Sequence, residues 1–229
     1  MKNIQIVLMR HGESLWNKEN KFTGWCDIDL SNKGIEEAKK AAEKLKKCNF
    51  YFDIAYTSLL KRAINTLWYT LSTLDQLWIE VKKTWKLNER HYGNLQGLNK
   101  TKIAIQYGEK QLKLWRRGFN EKPPKINEYN KLLFKNDLRY KNITNLPDSE
   151  SLYMTLLRVT QYWNKYIIPQ LQKRKKIIIV AHGNSLRALI KYIEQIEDDK
   201  IINLDIPTAS PLIYELNEKL KPIKKYYLK

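Results

Sequence analysis

Two apolar runs, Ile4-Gln5-Ile6-Val7-Leu8-Met9 and Ile177-Ile178-Ile179-Val180-Ala181, lead into the same pattern, His-Gly-x-Ser, at His11 to Ser14 and at His182 to Ser185. Short apolar runs closed by glycine and polar residues read as buried strands. In open α/β sheets ligands lie in the crevice beyond the carboxyl ends of the strands. If the two strands are parallel neighbours, both imidazoles emerge at one crevice. The glycine after each histidine permits a tight turn and is expected to bring backbone N–H groups near an anion.

The rest of the chain alternates in the same style. Ser31 reads as the N-cap of a helix whose apolar stripe is Ile35, Ala38, Ala42 and Leu45. Ile54 to Tyr56 is a short strand. Thr57 and Ser58 then open a second helix with Leu60, Ala63, Leu67, Leu71 and Leu74 on its buried side. A third strand is expected over about Ile79 to Trp85. Residues 86 to 150 carry no clear strand signal but hold Gly93, Gly97, Gly108, Gly118 and the pair Pro123-Pro124. They predict a long insertion over the active-site edge, with short helical pieces near 100–117. A helix from Ser151 to Ile168 should stop at Pro169 and the basic turn Lys173 to Lys176, which reads as a solvated helix end. A helix from Asn184 to about Ile196 and strands near 212–216 and 223–228 complete the pattern. The alternation predicts one α/β domain over residues 1–229, a single doubly wound, mostly parallel sheet flanked by helices.

Composition narrows the function classes. With 229 residues, 43% of them hydrophobic, the chain can bury a core, which excludes intrinsic disorder. No apolar run exceeds Ile177 to Ala181, far short of a membrane span, and no secretory leader is expected because Arg10 and His11 break the first apolar stretch. Cys26 and Cys48 match neither a disulfide framework nor a metal motif, so a reducing, cytoplasmic location is expected. The net charge of +18 favours anionic partners. Only nine of the 42 basic residues are arginine, however, and the lysines spread over the whole length. Such diffuse charge does not predict specific nucleic-acid binding.

Arg10, beside the first histidine, and Arg62, just after the Ile54 strand, can reach the crevice that His11 and His182 share. Two histidines and two arginines around one anion make a pocket for a phosphoryl group, because the guanidinium fork matches phosphate oxygens. One imidazole nitrogen can then attack phosphorus while the cations stabilise the equatorial oxygens.

Arg10-His11-Gly12-Glu13-Ser14 resembles the signature of the histidine phosphatase superfamily. The longer stretches resemble its 2,3-bisphosphoglycerate-dependent phosphoglycerate mutases: Asn20 to Trp25, Tyr56-Thr57-Ser58 with Lys61-Arg62-Ala63, Leu87 to Gly93 with Leu95 to Lys100, Trp115-Arg116-Arg117, Ala181 to Arg187, and Ile206-Pro207-Thr208. The resemblance implies that His11 is the histidine that becomes phosphorylated and that Arg10, Arg62 and His182 hold the transferring group. Glu89 matches the acid–base residue, and the departing substrate oxygen does need a proton. Ser14, Asn17, Thr23, Gly24, Tyr92, Lys100, Arg116, Arg117, Gly183 and Asn184 match positions that contact the substrate. His91 matches a position without a chemical role.

The activity so implied is interconversion of 2-phosphoglycerate and 3-phosphoglycerate, primed by 2,3-bisphosphoglycerate and needing no metal, in a homodimer with a small phosphorylated substrate. Three departures from the family pattern stand out. Ala209 replaces a glycine and is expected to stiffen a turn, Asn130 to Asp137 has drifted, and the chain ends at Lys229 where many members continue. A shorter tail would leave the phosphoenzyme open to hydrolysis. The alternatives are a bisphosphoglycerate mutase or phosphatase on the same scaffold, and a non-catalytic, basic nucleic-acid-binding protein.

Overall fold

The run Ile177–Ala181 is fully buried and pairs in parallel on both sides, with Ile6–Arg10 on one and Ile54–Thr57 on the other. A computed structural model describes residues 4–228; Lys229 lies outside them. In chain order the elements are β1 (Ile4–Arg10), α1 (Leu15–Lys18), α2 (Asn32–Lys47), β2 (Ile54–Thr57), α3 (Lys61–Thr73), β3 (Glu80–Lys83), α4 (Lys100–Tyr107), α5 (Glu109–Arg117), α6 (Glu128–Lys135), α7 (Leu152–Tyr162), α8 (Ile168–Gln172), β4 (Ile177–Ala181), α9 (Gly183–Glu194), β5 (Leu212–Leu216) and β6 (Pro222–Tyr227). The six strands form one sheet in the order β3-β2-β4-β1-β5-β6. The first four of these run parallel, while β5 is antiparallel to β1 and β6 to β5. No described helix is long and apolar enough to cross a membrane.

Side chains alternate across a strand, so a sheet covered on both faces needs apolar residues at every position. Ile177, Ile179 and Ala181 join Ile6, Leu8 and Tyr56 in a core with Val159, Trp163, Leu186 and Leu189 from the α7 and α9 side. Ile178 and Val180 join Val7, Met9 and Ala55 in a second core with Ala41, Leu45, Leu67 and Leu71 from α2 and α3. The insertion builds a smaller core of its own, in which Tyr92, Leu95, Ile103, Leu112 and Trp115 pack with Phe22.

Several boundaries differ from the sequence expectation, each for a local reason. Ser31 does cap α2, its hydroxyl accepting from Gly34 N–H at 3.1 Å. Ile35, however, is only half-buried, and Gly34 takes its place on the buried side. A Cβ on Gly34 would sit 2.0 Å from the Glu13 carbonyl oxygen, and one on Gly12 would sit 2.2 Å from that of Gly34. The two glycines let the loop after His11 lie directly on the first turn of α2. Gly12 N–H is also not free for an anion, because it donates to Thr66 Oγ1 at 3.1 Å.

Thr57 and Ser58 do not open α3. Thr57 ends β2 and donates its hydroxyl to the Val180 carbonyl, while Ser58 Oγ shares a hydrogen bond with His182. The helix starts at Lys61, whose N–H is capped from a distant loop by Asp27 Oδ1 at 2.7 Å. Its buried stripe is the expected one. The third strand is shorter than expected, because Trp85 already opens a 3₁₀ turn. Pro169 does not stop its helix. A π turn over Trp163–Ile167 joins α7 to α8, and Pro169 falls in the first turn of α8, where a missing N–H costs little. Ala209 adopts a left-handed φ of 42° and donates its N–H to the Arg10 carbonyl at 2.9 Å.

Ile179 lies between β1 and β2 with no exposure. Ile179→Ala should therefore destabilise the fold by about 2–5 kcal/mol in urea denaturation. A loss below about 1 kcal/mol would mean that β4 is not the packed centre described here.

Candidate active site

The register of the central strands builds the site. Arg10 stands opposite Ala181, and His11 N–H donates to the Ala181 carbonyl at 3.0 Å. Both chains then leave the sheet together, so the rings of His11 and His182 meet edge to face with centroids 5.0 Å apart. His11 Nδ1 lies 2.6 Å from the Gly12 carbonyl oxygen, which can only accept, so Nδ1 carries the proton. Nε2 therefore keeps its lone pair and accepts from Arg62 Nε at 3.3 Å. Burial, and then the charges of Arg62 and Arg10, hold the His11 pKa well below its ordinary value. The ring is neutral, with one nucleophilic nitrogen facing a guanidinium. His182 is also held neutral, by burial first and then by Arg62 and His11. Its Nε2 lies 2.7 Å from Ser58 Oγ, while its buried Nδ1 has no protein partner.

Backbone carbonyls orient the arginines. Arg62 donates to the carbonyls of Cys26 and Gly24, and Arg10 to that of Ile206. Burial lowers Arg62 to about 10. Among the described residues, the buried side-chain nitrogens and oxygens without a partner are Arg10 Nε, Thr23 Oγ1, Arg90 Nε and His182 Nδ1. Arg10 and Thr23 line the cavity at the strand ends, and His182 backs onto His11. Buried polar groups are normally satisfied, so the two orphans that line the cavity, Arg10 Nε and Thr23 Oγ1, point to a polar occupant.

That cavity opens to solvent, and it spans about 620 Å³ only when the space at its open mouth is counted. Of the residues singled out from sequence, Arg10, His11, Asn17, Thr23, Gly24, Arg62, Glu89, Tyr92, Lys100, Arg116, Arg117, Gly183 and Asn184 line it. His182 and Ser14 do not. Ser14 instead caps α1, accepting from Asn17 N–H at 3.2 Å and donating its hydroxyl to Asn17 Oδ1. Glu89 Oε1 accepts from the N–H groups of Arg90, at 2.7 Å, and Asn184, at 3.2 Å, the second in the first turn of α9. Asn184 Nδ2 donates to the Tyr92 hydroxyl at 2.9 Å. His91 lies outside the cavity in a ring of aromatic neighbours, Trp25 and Phe134.

Lys21, Phe22, Arg187, Asp205 and Ile206 also line the cavity, and sequence reasoning gave them no role. Arg187 had a readable signal. It follows Asn184 by three residues on one helix, and its Nη1 donates to Asn184 Oδ1 at 2.8 Å. Burial, then Arg117 and Arg90, lower Arg187 to about 9; burial, then Arg116 and Arg10, lower Lys100 to about 8. Cations that suppress one another in a half-dry cavity are relieved by a multiply charged anion.

Comparison with known proteins identifies the family. The family model of the histidine phosphatase superfamily (branch 1) matches residues 6–134 and 122–228. Two proteins named 2,3-bisphosphoglycerate-dependent phosphoglycerate mutase, from the Schizaphis graminum and Baizongia pistaciae subspecies of Buchnera aphidicola, are 57% and 58% identical over 100% of both chains. The chain belongs to the phosphoglycerate mutase family of the histidine phosphatase superfamily. A solved mycobacterial glucosyl-3-phosphoglycerate phosphatase shares the fold, with a TM-score of 0.74 at 20% identity, covering 97% of this chain and 96% of that one. The expected shortfall at the carboxyl end is not seen against the two Buchnera relatives, whose full lengths the chain covers.

The buried histidines tie the stability of this phosphoglycerate mutase fold to pH. His11 and His182 are held well below the ordinary 6.5, and burial lowers His91 to about 4. Below 6.5 the unfolded chain takes up protons that the folded chain refuses, so stability is full above that pH and is lost as pH falls through it. Each histidine contributes a slope approaching about 1.4 kcal/mol per pH unit. Urea denaturation should show a loss of about 3–4 kcal/mol between pH 6 and pH 5. Equal stability at the two values would contradict three neutral, buried rings.

Proposed function

We propose that this chain interconverts 2-phosphoglycerate and 3-phosphoglycerate through a phosphohistidine at His11. The observation that carries the reading is the His11 ring, with Nδ1 committed to the Gly12 carbonyl and Nε2 facing Arg62 in a cationic cavity that also holds the Glu89 carboxylate. The full-length relatives carry the mutase name rather than that of a phosphatase, which supports this choice within the superfamily. A basic nucleic-acid-binding role has no comparable support.

The cavity fits a compound with two phosphates and a carboxylate, because orphaned donors and several cations converge there. When bound, 2,3-bisphosphoglycerate supplies the phosphoryl group that primes His11. In transfer to the enzyme, the Nε2 lone pair attacks phosphorus, the P–O bond to the substrate breaks, and the leaving oxygen takes a proton from Glu89. In the return step a substrate hydroxyl attacks phosphorus and gives its proton to Glu89, while the N–P electron pair goes back to Nε2. Arg10 and Arg62 hold the phosphoryl oxygens, placing positive charge where negative charge builds up, and the neutral His182, packed against the His11 ring, keeps the nucleophile in place. Asn17, Thr23, Gly24, Gly183 and Asn184 form the wall around that group. Tyr92, Lys100, Arg116 and Arg117 take the other anionic ends. Ser14 contributes by fixing Asn17. A cytoplasmic homodimer, which the family resemblance implies, is part of the same reading.

A coupled assay for 2-phosphoglycerate should show turnover that rises with added 2,3-bisphosphoglycerate. His11→Ala should abolish acid-labile phosphoryl incorporation. Glu89→Gln should lower kcat by about 10²–10⁴ with little change in KM. Arg116→Ala should mainly raise KM. Normal labelling of the His11→Ala protein, or release of free phosphate without 2-phosphoglycerate, would overturn the reading.

A further inference from the structure

Glu89 sits on a segment that no helix or strand holds. Between the end of β3 and the insertion helices, residues 84–92 carry only the 3₁₀ turn Trp85–Leu87. Backbone carbonyls there have no ladder partner, yet a carboxylate that moves protons must be held within a fraction of an ångström. One side chain from α7 supplies most of the missing hydrogen bonds. Arg158 directs Nη1 to the carbonyls of Lys86, at 2.8 Å, and Asn88, at 2.9 Å. Its Nη2 donates to the Glu89 carbonyl at 2.9 Å, where Trp25 Nε1 also donates at 2.6 Å.

The remaining donors of Arg158 form a two-pronged pair with Glu150, Nε to Oε1 at 2.7 Å and Nη2 to Oε2 at 2.9 Å. Glu150 completes the clamp by accepting from His91 N–H at 2.8 Å and donating its own N–H to the His91 carbonyl at 2.8 Å. All five guanidinium N–H groups are thereby used, and both side chains are buried, at 5% and 3% exposure. A buried ion pair by itself is weak evidence for stability. What this one holds is the backbone on both sides of Glu89.

We propose that the Arg158–Glu150 pair positions Glu89 for proton transfer; neither residue touches the cavity that holds the phosphoryl group. The inference rests on the reading of Glu89 as the acid–base group. Only a planar fork can meet three carbonyls and two carboxylate oxygens at once, so lysine at 158 keeps the charge but loosens the segment. The carboxylate then drifts from the Asn184 N–H that orients it, while His11 and the arginines stay in place.

The test compares two phosphoryl donors. Transfer to His11 from 2,3-bisphosphoglycerate expels an alkoxide that needs a proton, whereas p-nitrophenyl phosphate expels a phenolate that does not. Arg158→Lys should slow the first reaction about 10- to 100-fold, mostly in kcat, and leave His11 labelling from the second within about twofold. Glu150→Asp, the gentler variant, should shift the two rates in the same unequal way, with thermal melting confirming the fold of each. A merely structural role would lower both reactions together in both variants, and that result overturns the proposal, as does equal retention of both. Glu89→Gln run alongside separates the two ideas. If it spares p-nitrophenyl phosphate and Arg158→Lys does not, positioning fails alone. If Glu89→Gln fails to discriminate, the acid–base reading fails and takes the proposal with it.

Discussion

Arg10 opposite Ala181, with His11 N–H bonded to the Ala181 carbonyl, fixes the relation between the two strand ends from which the chemistry projects. Side chains along a strand alternate faces, so a slip of one residue in this pairing would send one imidazole to the opposite side of the sheet. The slip is blocked from within the sheet, because the residues of β1 and β4 divide between two separate cores and either shift would exchange their contents. Packing that looks remote from the site is what sets the 5.0 Å separation of the rings. Parallel pairing of β4 with β2 extends the same control to Ser58 and, in the first turn of α3, to Arg62.

The second constraint is charge. Arg10, Arg62, Arg90 and Arg187 crowd one end of the molecule, and their partners include a run of backbone carbonyls: Ile206, Cys26, Gly24, Gly118, Leu204 and Ile201. A carbonyl dipole orients a guanidinium without cancelling its charge, which a carboxylate would do. The exception at the rim is Arg117 with Asp205, a pair at 2.8 Å that is partly open to solvent. Glu89 and Asp205 offset only part of the positive field, and Lys100 and Arg187 are depressed by burial first and by the neighbouring arginines second.

The sequence made the frame legible where one residue type has one use. The apolar runs at 4–9 and 177–181 became adjacent strands, and the stripe Ala63, Leu67 and Leu71 became the buried side of α3. It misled where one residue type has several uses. Thr57 and Ser58 look like helix caps, but their hydroxyls serve partners more than a hundred residues away. Pro169 looks like a stop, but a π turn absorbs it. The cavity-lining residues were nearly all named through the family motifs, because His11, Glu89 and Arg116 carry no common local period that would gather them. Glu150 and Arg158 were invisible, since their importance lies in carbonyls they reach in another segment.

The contact between Gly12 and Gly34 has a consequence for how such a chain can change over time. Lysines are distributed along the whole chain, and drift at such exposed positions costs a fold little. At the glycine contact no such drift is open. A methyl group on either residue would collide with backbone rather than with a movable side chain, at 2.2 Å or closer, so no second substitution nearby can make room for it. The loop behind the reactive histidine is pinned by the absence of side chains, and it stays a fixed point around which the composition of the rest is free to wander.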